Sequence, residues 1–315
     1  MEYCAASLVV VSLFVYAVLF CIECGATLFM AEPELLGSES AVRSYINPAW
    51  ETTNVFLVTA FISLIAFFPG AFPLWSRALI VPFLVFLVVM GARIIGMLRI
   101  FYAAKSGRVM RLFLFISSFA APVVFAAGIM PFFLAGATPA DGSWWLLAPG
   151  FAMIAFASTV FLSSSFFAYA ERPSHPSARL NFLLRFALIF FLSAAFVLVF
   201  VLENAAPHIM AGISTALTAF GLLAVIDLVI SLARNGRYFG LRLLLALALF
   251  ATLFFGIAFS QLPYLIYPAA TIFTAFTDPA SAGIMLGAAA VAAVFLVPAL
   301  ALLYYLSLHK KREYK

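Results

Sequence analysis

Residues 77–101 read RALIVPFLVFLVVMGARIIGMLRIF. A helix crosses the hydrocarbon core of a bilayer with about 20 apolar residues, and this stretch is long enough. Arg77 and Arg99 lie close to its ends, where long side chains reach the interface. Arg93 is different, because an ionisable group inside a span is costly and is a functional candidate by default. The same reading recurs along the chain. Candidate spans fall at 5–29, 52–70, 77–101, 110–134, 145–169, 180–202, 209–233, 238–260 and 282–307, with Pro, Gly and charge at the breaks. The expected fold class is an all-α polytopic membrane protein of about nine transmembrane helices, one integral membrane domain over 1–315. The N-terminal stretch has no basic leader region and no clear cleavage site, so it reads as the first membrane helix. No internal repeat stands out.

The composition agrees. Of the 315 residues, 66% are hydrophobic and only 9% charged, whereas soluble domains carry about 25% charged residues. The net charge of +5 follows topology. Lys105, Arg108 and Arg111 lie between the third and fourth spans, and Arg172 and Arg179 between the fifth and sixth. Arg234, Arg237 and Arg242 surround the seventh-to-eighth connection, and Lys310, Lys311, Arg312 and Lys315 form the tail. Basic loops stay in the cytoplasm, which puts the N-terminus outside and the C-terminus inside. No basic patch with interleaved aromatics appears, so nucleic acid is not an expected partner. The stretch 263–279, PYLIYPAATIFTAFTDP, is apolar but broken by Pro263, Pro268 and Pro279. It reads as an interfacial or partly re-entrant connection, which must be covered by protein.

The ionisable groups in or beside the spans are Glu23, Glu51, Arg93, Arg99, Arg185, Glu203 and Asp227. On the expected topology, Glu23 lies about two turns from the inner end of the first span. Glu51 stands at the inner start of the second, and Arg93 lies in the inner third of the third. The three share one depth. Glu51 has a simple reading as a helix N-terminal charge. Arg93 has one as counter-ion to Glu23 or Glu51, since unpaired buried charges are expensive. A proton route is the other reading of the trio. Arg185 and Asp227 also fall at similar depths and are a candidate ion pair. Glu203 and His208 sit at the outer edge.

Other chemistry finds little support. Cys21 and Cys24 form a CxxC inside an apolar helix, without a second pair, and read as small packing residues. No phosphate loop, nucleophile elbow or zinc signature appears, and the metal expectation is none. Haem iron takes an axial His, Met or Cys. His175, His208 and His309 all lie outside the span interiors, so the expectation is that no iron ligand of this chain holds a haem.

The stretch 46–57, INPAWETTNVFL, then carries a resemblance. Pro48-Ala49-Trp50-Glu51-Thr52-Thr53-Asn54-Val55-Phe56-Leu57 resembles the Pro-x-Trp-Asp-Gly-Asn-Glu/Gln-Val-Trp-Leu signature of subunit II of the cytochrome bd quinol oxidase family. Phe68-Pro69-Gly70-Ala71-Phe72 resembles that family's Phe/Trp-Pro-x-x-Tyr element, and Arg93 with Gly96 its third-helix Arg and Gly. Glu23-Cys24-Gly25-Ala26, followed by Leu36-Gly37, is similar to its Asp-Gly-Phe-Asp and Leu-Gly elements at the same interval. Both matching acids are Glu here, and the second first-helix Asp is Ala26.

The resemblance implies two four-helix bundles plus one extra helix. It also implies a side-by-side heterodimer with a haem-bearing subunit I, in the cytoplasmic membrane of a prokaryote. Haems b and d are then expected in that partner. Quinol is oxidised by the complex, and a bound quinone in this subunit is compatible with the resemblance. Glu23 and Glu51 become proton-pathway candidates, with Arg93, Trp50 and Asn54 as supporting charge and motif residues. The residues alone leave open a multi-pass transporter, because of proline-interrupted segments such as 121–131, and a divergent structural or assembly protein.

Overall fold

The computed structural model describes residues 1–31, 39–102, 108–135, 143–171, 178–232 and 238–309. Among the described residues the chain forms nine α-helices: α1 (Glu2–Ala31), α2 (Glu39–Phe67), α3 (Phe72–Tyr102), α4 (Arg108–Ala135), α5 (Ser143–Glu171), α6 (Ala178–Ala205), α7 (Met210–Leu232), α8 (Phe239–Ser260) and α9 (Pro279–His309). Eight contain stretches long and apolar enough to cross a membrane, and α2 contributes the shorter apolar segment Thr52–Phe67.

Two contact patterns repeat. In the first four helices α1 packs on α2 and α4, and α3 on α4. In the next four α5 packs on α6 and α8, and α7 on α8. These are two four-helix bundles, joined where α5 lies against α1 and α4, with α9 added against α2. Each bundle also turns one corner in the same way. A 3-10 turn at Pro69–Ala71 leads straight into α3, and one at Pro207–Ile209 leads straight into α7. The residues before the prolines, Phe68 (φ −126°, ψ 54°) and Ala206 (φ −141°, ψ 57°), share a backbone conformation. Proline suits the first turn of a helix because its missing N–H is not needed there. The sequence shows no such repeat, because packing can be met by many apolar side chains.

α5 is the most buried of the spans. Its polar run is Ser158, Thr159, Ser163, Ser164 and Ser165, all buried. The first four hydroxyls donate to carbonyls one turn back, such as Ser158 Oγ to Ile154 O at 2.6 Å, which removes the cost of burying them. Gly25 of α1 lies against this surface, where an added Cβ would stand 2.6 Å from the Thr159 carbonyl oxygen. Pro122 and Pro131 sit inside α4, which nevertheless continues from Arg108 to Ala135. The proline-interrupted segment is therefore a continuous helix, not a broken one. The outward faces of α3, α7 and α9 carry exposed apolar side chains, such as Val88 (72%), Leu222 (67%) and Ile284 (76%), as a surface that meets lipid tails or another subunit requires.

Two boundaries differ from expectation. α2 starts at Glu39, well before the apolar segment at 52, because its first turns are helical but polar. Glu51 therefore lies inside a helix and not at its start, and the N-terminal charge reading fails for that reason. The stretch after α8 is not simply irregular. Tyr264–Ile266 (β1) and Ala270–Thr271 (β2) form a small antiparallel hairpin. Ile266, Ile272 and Ala275 are buried, and its backbone ties three places together. Tyr267 N donates to Phe133 O, Gly70 N to Ala275 O, and Thr277 N to Phe67 O. The His208 ring stacks on Tyr267 at 3.6 Å, while Glu203 is exposed. Gln261 completes the joint, donating from Nε2 to Phe133 O at 2.8 Å, with Oε1 3.3 Å from His208 Nε2. Gln261→Leu removes one of the two donors to the Phe133 carbonyl, which keeps Tyr267 N, and takes the partner from the His208 ring nitrogen, which costs about 1–3 kcal/mol. Thermal unfolding in detergent should show the loss. An unchanged midpoint would mean that this joint contributes nothing.

Candidate buried charge site

Glu23 of α1 and Arg93 of α3 meet in the first bundle. Arg93 Nη2 lies 2.7 Å from Glu23 Oε1, and both side chains are only 1% exposed. Arg93 Nε also donates to Ser118 Oγ of α4 at 3.3 Å. The Glu23–Arg93 contact is ionic without good hydrogen-bond alignment. Neither carboxylate oxygen of Glu23 is hydrogen-bonded, and Arg93 Nη1 also lacks a partner among the described residues. The Tyr16 hydroxyl, likewise buried and unbonded, lies within electrostatic reach of Glu23, Cys24 and Arg93. Buried polar groups are normally satisfied, so Glu23 Oε2, Arg93 Nη1 and the Tyr16 hydroxyl, three atoms without a hydrogen bond in one cluster, mark a place built for more than packing. The cluster can hold a charge pair away from water and offer polar stations to ordered water or a transferred proton.

Sequence position explains how these groups converge. Tyr16 and Glu23 are seven residues apart, about two helical turns, and so share a face of α1. Arg93 comes from the inward face of α3, and Ser118 is a small polar residue in an otherwise apolar α4. Depth alone points to Glu23 and Arg93. Tyr16 and Ser118 were missed, although a Tyr at i−7 from a buried acid is a readable signal. Trp50 and Glu51 lie on α2, but their side chains fall outside the described residues. Thr52 and Thr53, which follow them, are buried, and Asn54 is half-buried.

A second charged group lies in the other bundle. Asp227 of α7 is buried, and Asp227 Oδ1 has no hydrogen-bond partner. The cation whose charge reaches it is Arg242 of α8. Arg185 of α6 instead donates from Nε to the Ser231 carbonyl at 3.2 Å. So Arg185 and Asp227 lie at one end of the bundle but form no ion pair, and Arg242 is the neighbour that depth reasoning missed. Both arginines sit at about the same depth, and only packing distinguishes α6 from α8. Among the described residues no three His, Cys, Asp or Glu side chains gather. His208 stands at a helix corner, stacked on Tyr267.

The profile of the family described as cytochrome bd terminal oxidase subunit II matches residues 1–307. The chain belongs to that family. A relative in Bacillus subtilis (strain 168), named putative cytochrome bd menaquinol oxidase subunit II, is 25% identical over 328 residues, covering 95% of this chain and 93% of the relative. The solved bd oxidase of Geobacillus thermodenitrificans contains a chain that superposes with a TM-score of 0.82 at 22% identity, covering 97% of this chain and 98% of that one. The fold is shared throughout. This subunit II is thus a multi-pass protein of the cell membrane and a subunit of a terminal oxidase, an oxidoreductase complex that requires a partner oxidase subunit. The transporter and assembly-protein alternatives give way to the family membership.

Proposed function

We propose that this chain supports a haem-bearing subunit I, holding haems b and d, and carries protons towards it from the cytoplasm. The buried Glu23–Arg93 pair with its unbonded neighbours is the observation that supports this. Quinol oxidation and oxygen reduction belong to the partner. This chain's own part is to keep a carboxylate at Glu23 beside a fixed cation, in a dry bundle reached through α2, where Glu51 is the second carrier. Ala26 removes the second first-helix acid of the family pattern, so Glu23 works with Tyr16 and ordered water in place of a second carboxyl. The loop charges favour an external N-terminus and a cytoplasmic C-terminus. The menaquinol named for the Bacillus subtilis relative makes menaquinol the first substrate to supply.

The test is a pair of variants in the assembled complex. Glu51→Gln and Glu23→Gln should each slow quinol-dependent oxygen uptake about tenfold or more, as loss of a proton-transfer group does, while the visible haem spectrum stays intact. The 2.7 Å contact also favours a second reading, in which Glu23 serves only to neutralise Arg93. That reading predicts normal turnover for Glu51→Gln, with a loss of assembly and not of rate for Glu23→Gln.

A further inference from the structure

We infer that the end of the second bundle where α6 and α8 begin binds the phosphate of an anionic phospholipid between Arg185 and Arg242. The two arginines come from different helices and converge on one residue of a third. Arg185 Nε donates to the Ser231 carbonyl at 3.2 Å, and Arg242 Nη2 donates to Ser231 Oγ at 3.3 Å. Each guanidinium carries five N–H donors, and no other hydrogen bond from either is formed among the described residues. Ser231 lies in the last turn of α7, so its carbonyl is one of the orphan acceptors of a helix end. Capping it explains one donor of Arg185 and leaves the rest of the fork free.

Charge is left over at this place. Asp227 is its buried acid and acts on Arg242. Arg242 itself stands in the first turn of α8, where the helix dipole already favours an anion and disfavours a cation. The two guanidinium groups also repel one another. One buried carboxylate faces two guanidinium groups here, so the place keeps a net positive charge that an anion would offset. Two planar forks suit the oxygens of a phosphate, which they grip in bidentate fashion.

The surroundings name the source of that phosphate. Arg185 is exposed, yet its neighbours Phe182 and Phe186 and the Leu241 and Leu244 beside Arg242 are exposed apolar side chains. The two arginines are therefore ringed by exposed apolar side chains, a setting that suits lipid tails and not bulk water. α6 has 28 residues, about 42 Å at 1.5 Å each, and so overhangs a hydrocarbon core of about 30 Å. Arg185 lies about 10 Å from its start and Arg242 about 5 Å from the start of α8, both at the headgroup boundary. Free phosphate would have to leave water to reach them, whereas a lipid phosphate is already at this depth. On the orientation favoured by the loop charges, the site faces the cytoplasmic leaflet.

The experiment uses the assembled oxidase in mild detergent, with native mass spectrometry after titration with phosphatidylglycerol or phosphatidylcholine. The intact complex should retain phosphatidylglycerol in preference, and Arg185→Gln should weaken that retention about tenfold, the loss of a charged hydrogen bond. Arg185 is exposed, so this variant should assemble normally, and Arg185→Lys should fall between the two. Arg185→Gln/Arg242→Gln should abolish the preference. Equal retention of both lipids by the parent complex, or the same preference in parent and Arg185→Gln, overturns the inference. Displacement of the bound phosphatidylglycerol by millimolar inorganic phosphate would assign the site to a free anion and overturn the lipid reading. Neither result depends on whether Glu23 and Glu51 carry protons.

Discussion

Arg93→Met is expected to destabilise the protein by about 3–5 kcal/mol, because it strands the Glu23 carboxylate in a site where it is 1% exposed. Folded domains have only about 5–15 kcal/mol in total, so the variant should be poorly recovered with its partner and unfold at a much lower temperature. The loss comes mainly from the orphaned charge, not from the pair's own attraction. Restoring neutrality should therefore recover much of it. Arg93→Met/Glu23→Gln should unfold closer to the parent than Arg93→Met does, although its proton-dependent turnover stays low. A comparison of thermal midpoints in detergent decides this. If the double variant is no more stable than Arg93→Met, the pair is not what keeps the cluster together.

Gly25→Ala should also be strongly destabilising, by a different cause. The new methyl would meet the Thr159 carbonyl oxygen at 2.6 Å, and that neighbour is helix backbone, which cannot swing aside. α1 must move away from α5, and overpacking of this kind costs about 1–3 kcal/mol, occasionally more. The damage reaches the contact between the bundles, because α1 and α5 lie on either side of it. Gly221→Ala is the control. A Cβ there meets nothing within 4 Å, and Ala is the better helix former by about 1 kcal/mol. Assembly with the partner should be retained in Gly221→Ala and reduced in Gly25→Ala. Equal behaviour of the two variants would mean that the close approach of α1 to α5 is dispensable.

The nine helices of the described residues, eight of them long and apolar enough to span, could be read because hydropathy over about 20 residues is a strong signal in lipid. The same criterion missed the first turns of α2, where Glu39, Arg43 and Ser44 are helical without being apolar. Glu23 and Arg93 could be brought together by depth, since each was costly alone. Depth could not choose between Arg185 and Arg242 for Asp227, because it carries no information on which helices are neighbours. Tyr264–Thr271 was opaque for a related reason. Its strands are three and two residues long, too short for an alternating pattern, and contacts with Phe133 and Ala71's neighbour Gly70 hold the segment in place. The duplicated corner at Pro69 and Pro207 was invisible in one dimension because only the proline and its backbone shape are shared.

That corner bears on how the chain is made. Four residues, 68–71, separate α2 from α3, and four, 206–209, separate α6 from α7. Neither joint has slack for one helix to settle in the bilayer while the other waits outside. On the orientation that the loop charges favour, each pair enters the bilayer as a single hairpin with its tip crossing first. The tips, Phe68-Pro69-Gly70-Ala71 and Ala206-Pro207-His208-Ile209, contain no Lys or Arg, and Arg77 early in α3 is the fixed cation that follows the first of them. A lysine introduced at Gly70 or Ile209 would penalise that passage before any tertiary contact had formed.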